Sequence, residues 1–321
     1  KPRPSTTSSA AAYRVFHYTN GQRNHPESHT DLSANIIAQS GASQPKTAKE
    51  TRHASRSSNH HHTNASSSTH HRSSMSHTAH GTLDAYQLGK PIGQGAYAMV
   101  YQCVHKATMK KYAIKIYQKA KLNDSMKRKA VQREIMALKK IDHPHIIRML
   151  DLIETSKQIC IVTDYISGSS LHHYVKHQCP NRQVKEETCR RFFKQIAEAF
   201  EYLHSRGVAH RDLKLDNVLI EEKTNMIKII DFGFAAFCQD GQKQKIFCGT
   251  PSYMAPELVR RAEYDGRQVD MWALGVLLYA MLAGSFPFRG QSEKELYAKI
   301  QRCNVQYPPR ISREAKQVIG Q

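Results

Sequence analysis

The chain has 321 residues, 40% of them hydrophobic, and a formal net charge of +20, a length that suits one large folded domain or two ordinary ones. Seven scattered cysteines, an odd number without a CxxC pair, exclude a disulfide scaffold and a cysteine zinc site, and fit reduced thiols in the cytoplasm or nucleus. Residues 1–80 hold nine Lys/Arg and three Asp/Glu, leaving 38 and 24 for the remainder, so the basic surplus sits on the folded part. No nucleic-acid-binding tail is expected; a positive surface favours acidic proteins, phosphate or anionic lipid.

Residues 1–83 form a Ser/Thr/His-rich tail with few large apolar side chains, too little to offset ordering entropy, so disorder is expected. Its clusters His60-His61-His62 and His70-His71 fit metal binding or a plain polar linker. Tyr86–Ile92, Ala98–His105 and Lys111–Tyr117 read as strands. Asp124 or Ser125 caps a helix running through Val131, Ile135 and Leu138 to Lys140. Lys119–Lys140 carries eight Lys/Arg against Asp124 and Glu134, a docking patch for an acidic partner or a solvated helix face. Ile146–Ile153 and Gln158–Asp164 read as further strands. After Gly168 the pattern is largely helical, with Phe192, Phe193, Ile196, Ala199, Phe200 and Leu203 spaced near 3.6 along Glu186–Ser205. Met271–Ala283 is the most apolar run, too short to span a bilayer and preceded by Asp270, so a buried helix is expected and no transmembrane segment. No signal peptide or internal repeat is visible. The chain lacks an initiator Met and stops within a helical pattern, so it reads as a fragment.

The densest chemistry lies in His210-Arg211-Asp212-Leu213-Lys214-Leu215-Asp216-Asn217, followed by Asp231-Phe232-Gly233. Asp212 can accept a proton from an attacking hydroxyl, Asn217 and Asp231 offer hard oxygen ligands for Mg²⁺, and Lys214 can neutralise a phosphoryl group. Phosphoryl transfer asks for positioning and charge stabilisation more than covalent chemistry. These two motifs resemble the catalytic loop and metal-binding motif of eukaryotic protein kinases. Ile92-Gly93-Gln94-Gly95-Ala96-Tyr97-Ala98-Met99-Val100 resembles the glycine-rich loop, with Ala98 in place of the third glycine. Tyr112-Ala113-Ile114-Lys115 resembles the third-strand lysine motif. Gly249-Thr250-Pro251-Ser252-Tyr253-Met254-Ala255-Pro256-Glu257 resembles the segment that seats the substrate, and Asp270-Met271-Trp272-Ala273-Leu274-Gly275 the central helix.

The resemblance covers residues 84–321 and implies an α+β, bilobal kinase fold: a small, mostly antiparallel β lobe with one helix over about 84–163, and a larger, incomplete helical lobe over about 168–321. It implies ATP and Mg²⁺ as cofactors. Asp212 would be the base, Lys214 would contact the γ-phosphate, and Asn217 and Asp231 would hold Mg²⁺. Lys115 would hold the α- and β-phosphates with Glu134 as its partner, Glu134 lying at the edge of its helix's buried side. Ile92, Gly93, Gly95, Val100, Ala113 and Leu219 would surround the nucleotide. Backbone groups from Asp164 to Ile166 would read the adenine edge, with Thr163 as a small gatekeeper. Asp270 would hold the catalytic-loop backbone, a role compatible with a helix N-cap aspartate. Glu257 would pair with an arginine of a helix beyond residue 321.

Lys214 in the loop implies serine/threonine substrates, and Phe234 implies serine over threonine. The wording is most similar to the calmodulin-dependent and AMP-activated kinase group, although Phe247-Cys248-Gly249-Thr250-Pro251 also resembles the cyclic-nucleotide-dependent kinases. Asp216 implies a taste for basic residues upstream of the target serine, weakened by Ser170 where a carboxylate is common. Residues 234–249 contain no Ser or Thr, and Ile246 occupies the usual phosphosite, so activity without phosphorylation there is expected. A pseudokinase or scaffold, and a small-molecule phosphotransferase, are the competing readings; the motif lysine and aspartates are intact, and so is the Gly249–Glu257 segment. The regulatory partner is not legible.

Overall fold

The computed structural model describes residues 82–95 and 97–320. The expected tail lies outside the described residues up to residue 81, as do both histidine clusters. The first lobe is an antiparallel sheet of β1 (Tyr86–Gln94), β2 (Ala98–His105), β3 (Lys111–Gln118), β4 (Met149–Glu154) and β5 (Gln158–Asp164), in the order β1-β2-β3-β5-β4. Side chains alternate along these strands, and inner strands β3 and β5 bury residues on both faces. Cys103, Ile114, Ile116, Ile153, Cys160 and Val162 form one apolar cluster. Ala98, Tyr117 and Ile161 point the other way, into the main core. Pro91 sits on edge strand β1, where the register slips on both sides of it; a residue without an N–H is tolerated at such a place.

The helix of this lobe, α1 (Ser125–Lys140), starts where the Asp124 carboxylate accepts from the Met126 N–H at 2.8 Å. Lys139 and Lys140 in its last turn complement the helix dipole. Its inner face buries Val131, Glu134, Ala137 and Leu138.

The second lobe contains α2 (Leu171–Gln178), α3 (Glu186–Ser205), α4 (Pro256–Val259), α5 (Gly266–Ala283), α6 (Glu293–Arg302) and α7 (Arg313–Ile319). Helix α5 is apolar almost all round, the mark of a central helix. It shares its core with Phe192, Ile196, Phe200 and Leu203 of α3, each large apolar side chain adding about 1.5–3 kcal/mol by burial. The fold is α+β and two-lobed, as the resemblance implies.

Several boundaries differ from expectation. The strand expected over Ile146–Ile153 begins only at Met149. Ile146 and Ile147 leave the sheet and join the second lobe: Ile147 N–H donates to Ile229 O at 2.9 Å, and Ile229 N–H to His145 O at 2.8 Å. The second lobe is not purely helical. Strands β6 (Gly168–Ser170), β8 (Val218–Glu221) and β9 (Ile227–Ile229) form one small sheet, and β7 (Val208–Ala209) pairs with β10 (Ala236–Phe237). Helix α5 begins upstream of Met271, capped by Asp265, whose carboxylate accepts from Arg267 N–H at 2.9 Å. Asp270 therefore lies inside the helix and is not its N-cap, and Met271 faces solvent.

Candidate active site

Strand register assembles the upper half of the site. Gly93 pairs with Val100, and Val100 with Lys115, so the turn carrying Gly95 lies across the strand that carries the lysine. Gly95 N–H donates to Ala98 O at 2.9 Å. A side chain at Gly95 would meet nothing nearer than Ala98 O at 3.8 Å, which leaves room for a bound group beside the backbone. Ala113 pairs with Thr163 at the end of β5. Asp164 N–H donates to Arg148 O at 3.2 Å, and Ile166 just beyond is buried. Ile92 and Ala113 are buried in the first lobe, and Leu219 of β8 is buried in the second.

Lys115 links the lobes. Its Nζ stands 2.8 Å from Glu134 Oε1 and 3.0 Å from Asp231 Oδ1. Glu134 is buried, not at the edge of its helix's inner face. A buried carboxylate needs donors, and Glu134 has a second one: the Tyr117 hydroxyl donates to its Oε2. Burial pulls the Lys115 pKa down, but Asp231 and Glu134 outweigh it and hold the ammonium well above its ordinary value. The Lys115 charge in turn holds the Asp231 carboxyl well below the usual carboxylate range, against the effect of burial. Burial and the Glu134 charge push the Tyr117 phenol up, so it stays a donor.

The lower half centres on buried Asp212. Its Oδ1 accepts from Thr250 Oγ1 at 2.7 Å, and its Oδ2 from Lys214 Nζ at 2.9 Å and Asn217 Nδ2 at 3.2 Å. Asn217 Nδ2 also donates to the Asp212 carbonyl at 2.8 Å. Burial lowers the Lys214 pKa, but Asp212 more than offsets this and keeps it raised.

A floor of hydrogen bonds fixes this loop. Fully buried Asp270 accepts from His210 N–H at 2.8 Å, Arg211 N–H at 2.7 Å and His204 Nε2 at 3.0 Å. A carboxylate only accepts, so His204 Nε2 carries a hydrogen. His210 Nε2 donates to Ile230 O at 3.1 Å, while its Nδ1 accepts from Asp212 N–H at 3.3 Å. Arg211 and Asp231 both adopt φ of 64°, a left-handed conformation that costs energy in a non-glycine residue and gathers at functional sites.

The donor set fits Mg²⁺. Asn217 spends its amide hydrogens on Asp212, leaving its carbonyl oxygen, and Asp231 has a second oxygen besides the one facing Lys115. Among the described residues no group of three or more His, Cys, Asp or Glu could hold a metal. Two hard protein oxygens, completed by phosphate oxygens and water, are the usual way Mg²⁺ is bound with a nucleotide.

Three partners escape the sequence reading. Tyr117 stands two residues from Lys115 on the same strand face, and that spacing is the signal that points to it. Tyr264, whose hydroxyl oxygen accepts from Arg211 Nη1 at 3.0 Å, and His204 carry no such signal, since their contacts are long-range. His172 Nδ1 lies 3.0 Å from Asp216 Oδ1, and Ser170 caps α2 by accepting from His173 N–H at 3.1 Å.

A family model described as "Protein kinase domain" matches residues 86–321. Curated relatives include CBL-interacting protein kinase 25 of Oryza sativa subsp. japonica, 36% identical over 243 residues, or 74% of this chain and 47% of the relative. The serine/threonine-protein kinase SIK3 homolog of Danio rerio is 40% identical over 235 residues, 73% of this chain and 19% of the relative. CBL-interacting serine/threonine-protein kinase 15 of Arabidopsis thaliana is 36% identical over 237 residues, 73% of this chain and 55% of the relative. The chain thus spans about half the length of the plant relatives and about a fifth of the fish one. With a two-lobed fold joined at Lys115 and a loop built around Asp212, the chain belongs to the protein kinase domain family, with the serine/threonine kinases of the calmodulin-dependent and AMP-activated group.

Proposed function

We propose that this protein transfers the γ-phosphate of ATP to serine, and less readily threonine, hydroxyls of protein substrates, and that residues 84–321 form its kinase domain. The observation that carries the reading is the meeting of two charge sets: Lys115 between Glu134 and Asp231, and Asp212 beneath Lys214, Asn217 and Thr250.

Magnesium bound by Asn217 and Asp231 would supply neutralising charge to the phosphates. The chain's own residues do the rest. Ile92, Val100, Ala113 and Leu219 flank the adenine, with Gly93 and Gly95 above the phosphates. The backbone from Asp164 to Ile166 reads the adenine edge beside Thr163. Lys115 holds the α- and β-phosphates, pinned by Glu134. Asp212 orients the substrate hydroxyl and takes its proton, and Lys214 balances charge on the transferred group. A turnover of about 10 per second corresponds to a remaining barrier of roughly 16 kcal/mol.

Phe234 supports serine preference. Asp216 supports basic residues upstream of the target, though its oxygen faces His172 and Ser170 is engaged as a cap, so the preference is proposed as a weak one. No helix among the described residues is long and apolar enough to cross a membrane. The free cysteines support a reducing compartment, cytoplasm or nucleus.

The test is transfer of labelled γ-phosphate to a basic serine peptide by the full-length wild type and by Asp212→Ala. Transfer by the wild type and a loss of at least about a hundredfold in the variant is expected. A wild type that binds Mg·ATP without transfer would be a scaffold instead.

A further inference from the structure

Although residues 234–249 hold no Ser or Thr, this segment is tied down at several points. Gln244 and Tyr264 exchange both backbone hydrogen bonds, at 2.7 and 3.0 Å. Lys245 pairs with Glu263 at 2.7 Å and Arg267 with Asp240 at 2.9 Å. Such exposed pairs contribute little singly.

The buried tie differs in kind. Tyr264 is 2% exposed and donates its hydroxyl to Ile246 O at 2.6 Å. That uses its one proton, so the Arg211 Nη1 at 3.0 Å donates to the same oxygen, and so does the Cys248 thiol at 3.7 Å. Arg211 Nε also donates to Phe234 O at 2.8 Å. A single phenol oxygen and one guanidinium thereby join the residue preceding Asp212 to the backbone at both ends of the segment. Burial raises the Tyr264 pKa, so the hydroxyl keeps its proton. The guanidinium is held by two neutral oxygens, and Arg133 of α1 lies near enough for the two cations to repel. Arg211 has the strained φ of 64°, so its side-chain anchors help set the backbone from which Asp212 projects.

We propose that Tyr264 is a positioning residue that stands in for an activating phosphate, fixing Arg211, and through it Asp212, without any modification of the segment. The proposal rests on the kinase reading and adds to it the residue that keeps the site constitutively assembled.

Tyr264→Phe removes one oxygen and keeps the ring among Phe247, Met254 and Leu258. Phosphatase-treated full-length wild type is expected to keep its full rate on a serine peptide. Tyr264→Phe is expected to lower kcat about tenfold or more, as loss of a charge-assisted hydrogen bond does, with the ATP KM nearly unchanged and faster tryptic cleavage after Lys243 and Lys245. In an Arg211→Met background the same change is expected to cost nothing further, because Tyr264 acts through that arginine. A wild type inactive with or without phosphatase treatment defeats the kinase reading itself. With an active wild type, the positioning role is overturned by unchanged kcat in Tyr264→Phe, by additive losses in the double variant, or by a phosphatase-treated wild type that loses its rate and recovers it only on rephosphorylation. It is overturned too if Tyr264→Phe loses its nucleotide-induced thermal shift, which would make the hydroxyl a core element.

Discussion

The Thr250 hydroxyl donates to Asp212 Oδ1 at 2.7 Å and accepts from Lys214 Nζ at 3.1 Å. One side chain of the Gly249–Glu257 segment thus couples Asp212 to the lysine beside it. Thr250→Val keeps the shape and deletes both bonds; Thr250→Ser keeps both. The expected outcome is a fall in kcat of about ten- to a hundredfold for Val, in line with loss of charge-assisted hydrogen bonds, and a near-wild-type rate for Ser. Steady-state kinetics at saturating ATP check this, and an equally active Val variant would refute the coupling.

Tyr117 supplies one of the two donors on buried Glu134. Removing it with Tyr117→Phe leaves a buried carboxylate oxygen short of a partner, a loss of about 1.5–3 kcal/mol for a hydrogen bond to a charged group. Part of that loss is expected as weaker Mg·ATP binding, because Glu134 holds Lys115, and part as a lower melting temperature. Calorimetric titration of nucleotide into Tyr117→Phe, beside a thermal scan, measures both; wild-type values in each would remove Tyr117 from the site.

The candidate site is legible in the sequence where its residues sit close along the chain. His210 to Asn217 and Asp231 to Gly233 are local strings, and local geometry delivers them. The helix over Ser125–Lys140 was equally plain, because Asp124 caps it and the lysines close it. Long-range pairing was not legible. Apolar Ile146 and Ile147 look like the start of a strand, and nothing in their spacing says that the backbone of Ile147 and of His145 bonds to Ile229 in the other lobe. Asp270 looks like a cap because it precedes an apolar run, yet Asp265 had already started the helix. Glu134 is expected at the edge of the buried side because periodicity marks apolar positions only, whereas it is buried with donors that come from a strand. Tyr264 belongs to none of the motifs, and its hydroxyl's partner is a carbonyl eighteen residues upstream.

Helix α5 ends at Gly284 with φ of 68°, where an added Cβ would stand 2.6 Å from Asn181 O and 2.9 Å from Arg182 O. Gly241 has a similar φ of 77° but nothing within 4 Å. Gly241→Ala should therefore carry only the left-handed penalty, roughly 1–2 kcal/mol. Gly284→Ala adds a backbone clash and is expected to lose more, about 3 kcal/mol or above. Denaturant unfolding compares them; equal losses would mean that the clash relaxes without cost.

The acid limb of stability follows from the Lys115–Asp231 contact. The Asp231 carboxyl is held well below its ordinary value in the folded protein, chiefly by the Lys115 charge. A depressed folded-state pKa adds stability that is complete above the unfolded value, about 3.9, and is lost as pH falls toward the folded one. Lys115 works in the opposite sense: its raised pKa adds stability that is complete below about 10.4 and is lost as pH rises beyond that. Between these limits both groups stay charged, so their contact adds no slope from about pH 5 to 9. In Asp231→Asn the acid term is absent. The stability difference between wild type and Asp231→Asn is expected to stay constant from about pH 5 to 8 and to shift steadily against the wild type below about pH 4. Urea midpoints measured across that range decide it: a difference that varies near neutrality, or none that moves in acid, would show that Lys115 does not hold Asp231 ionised.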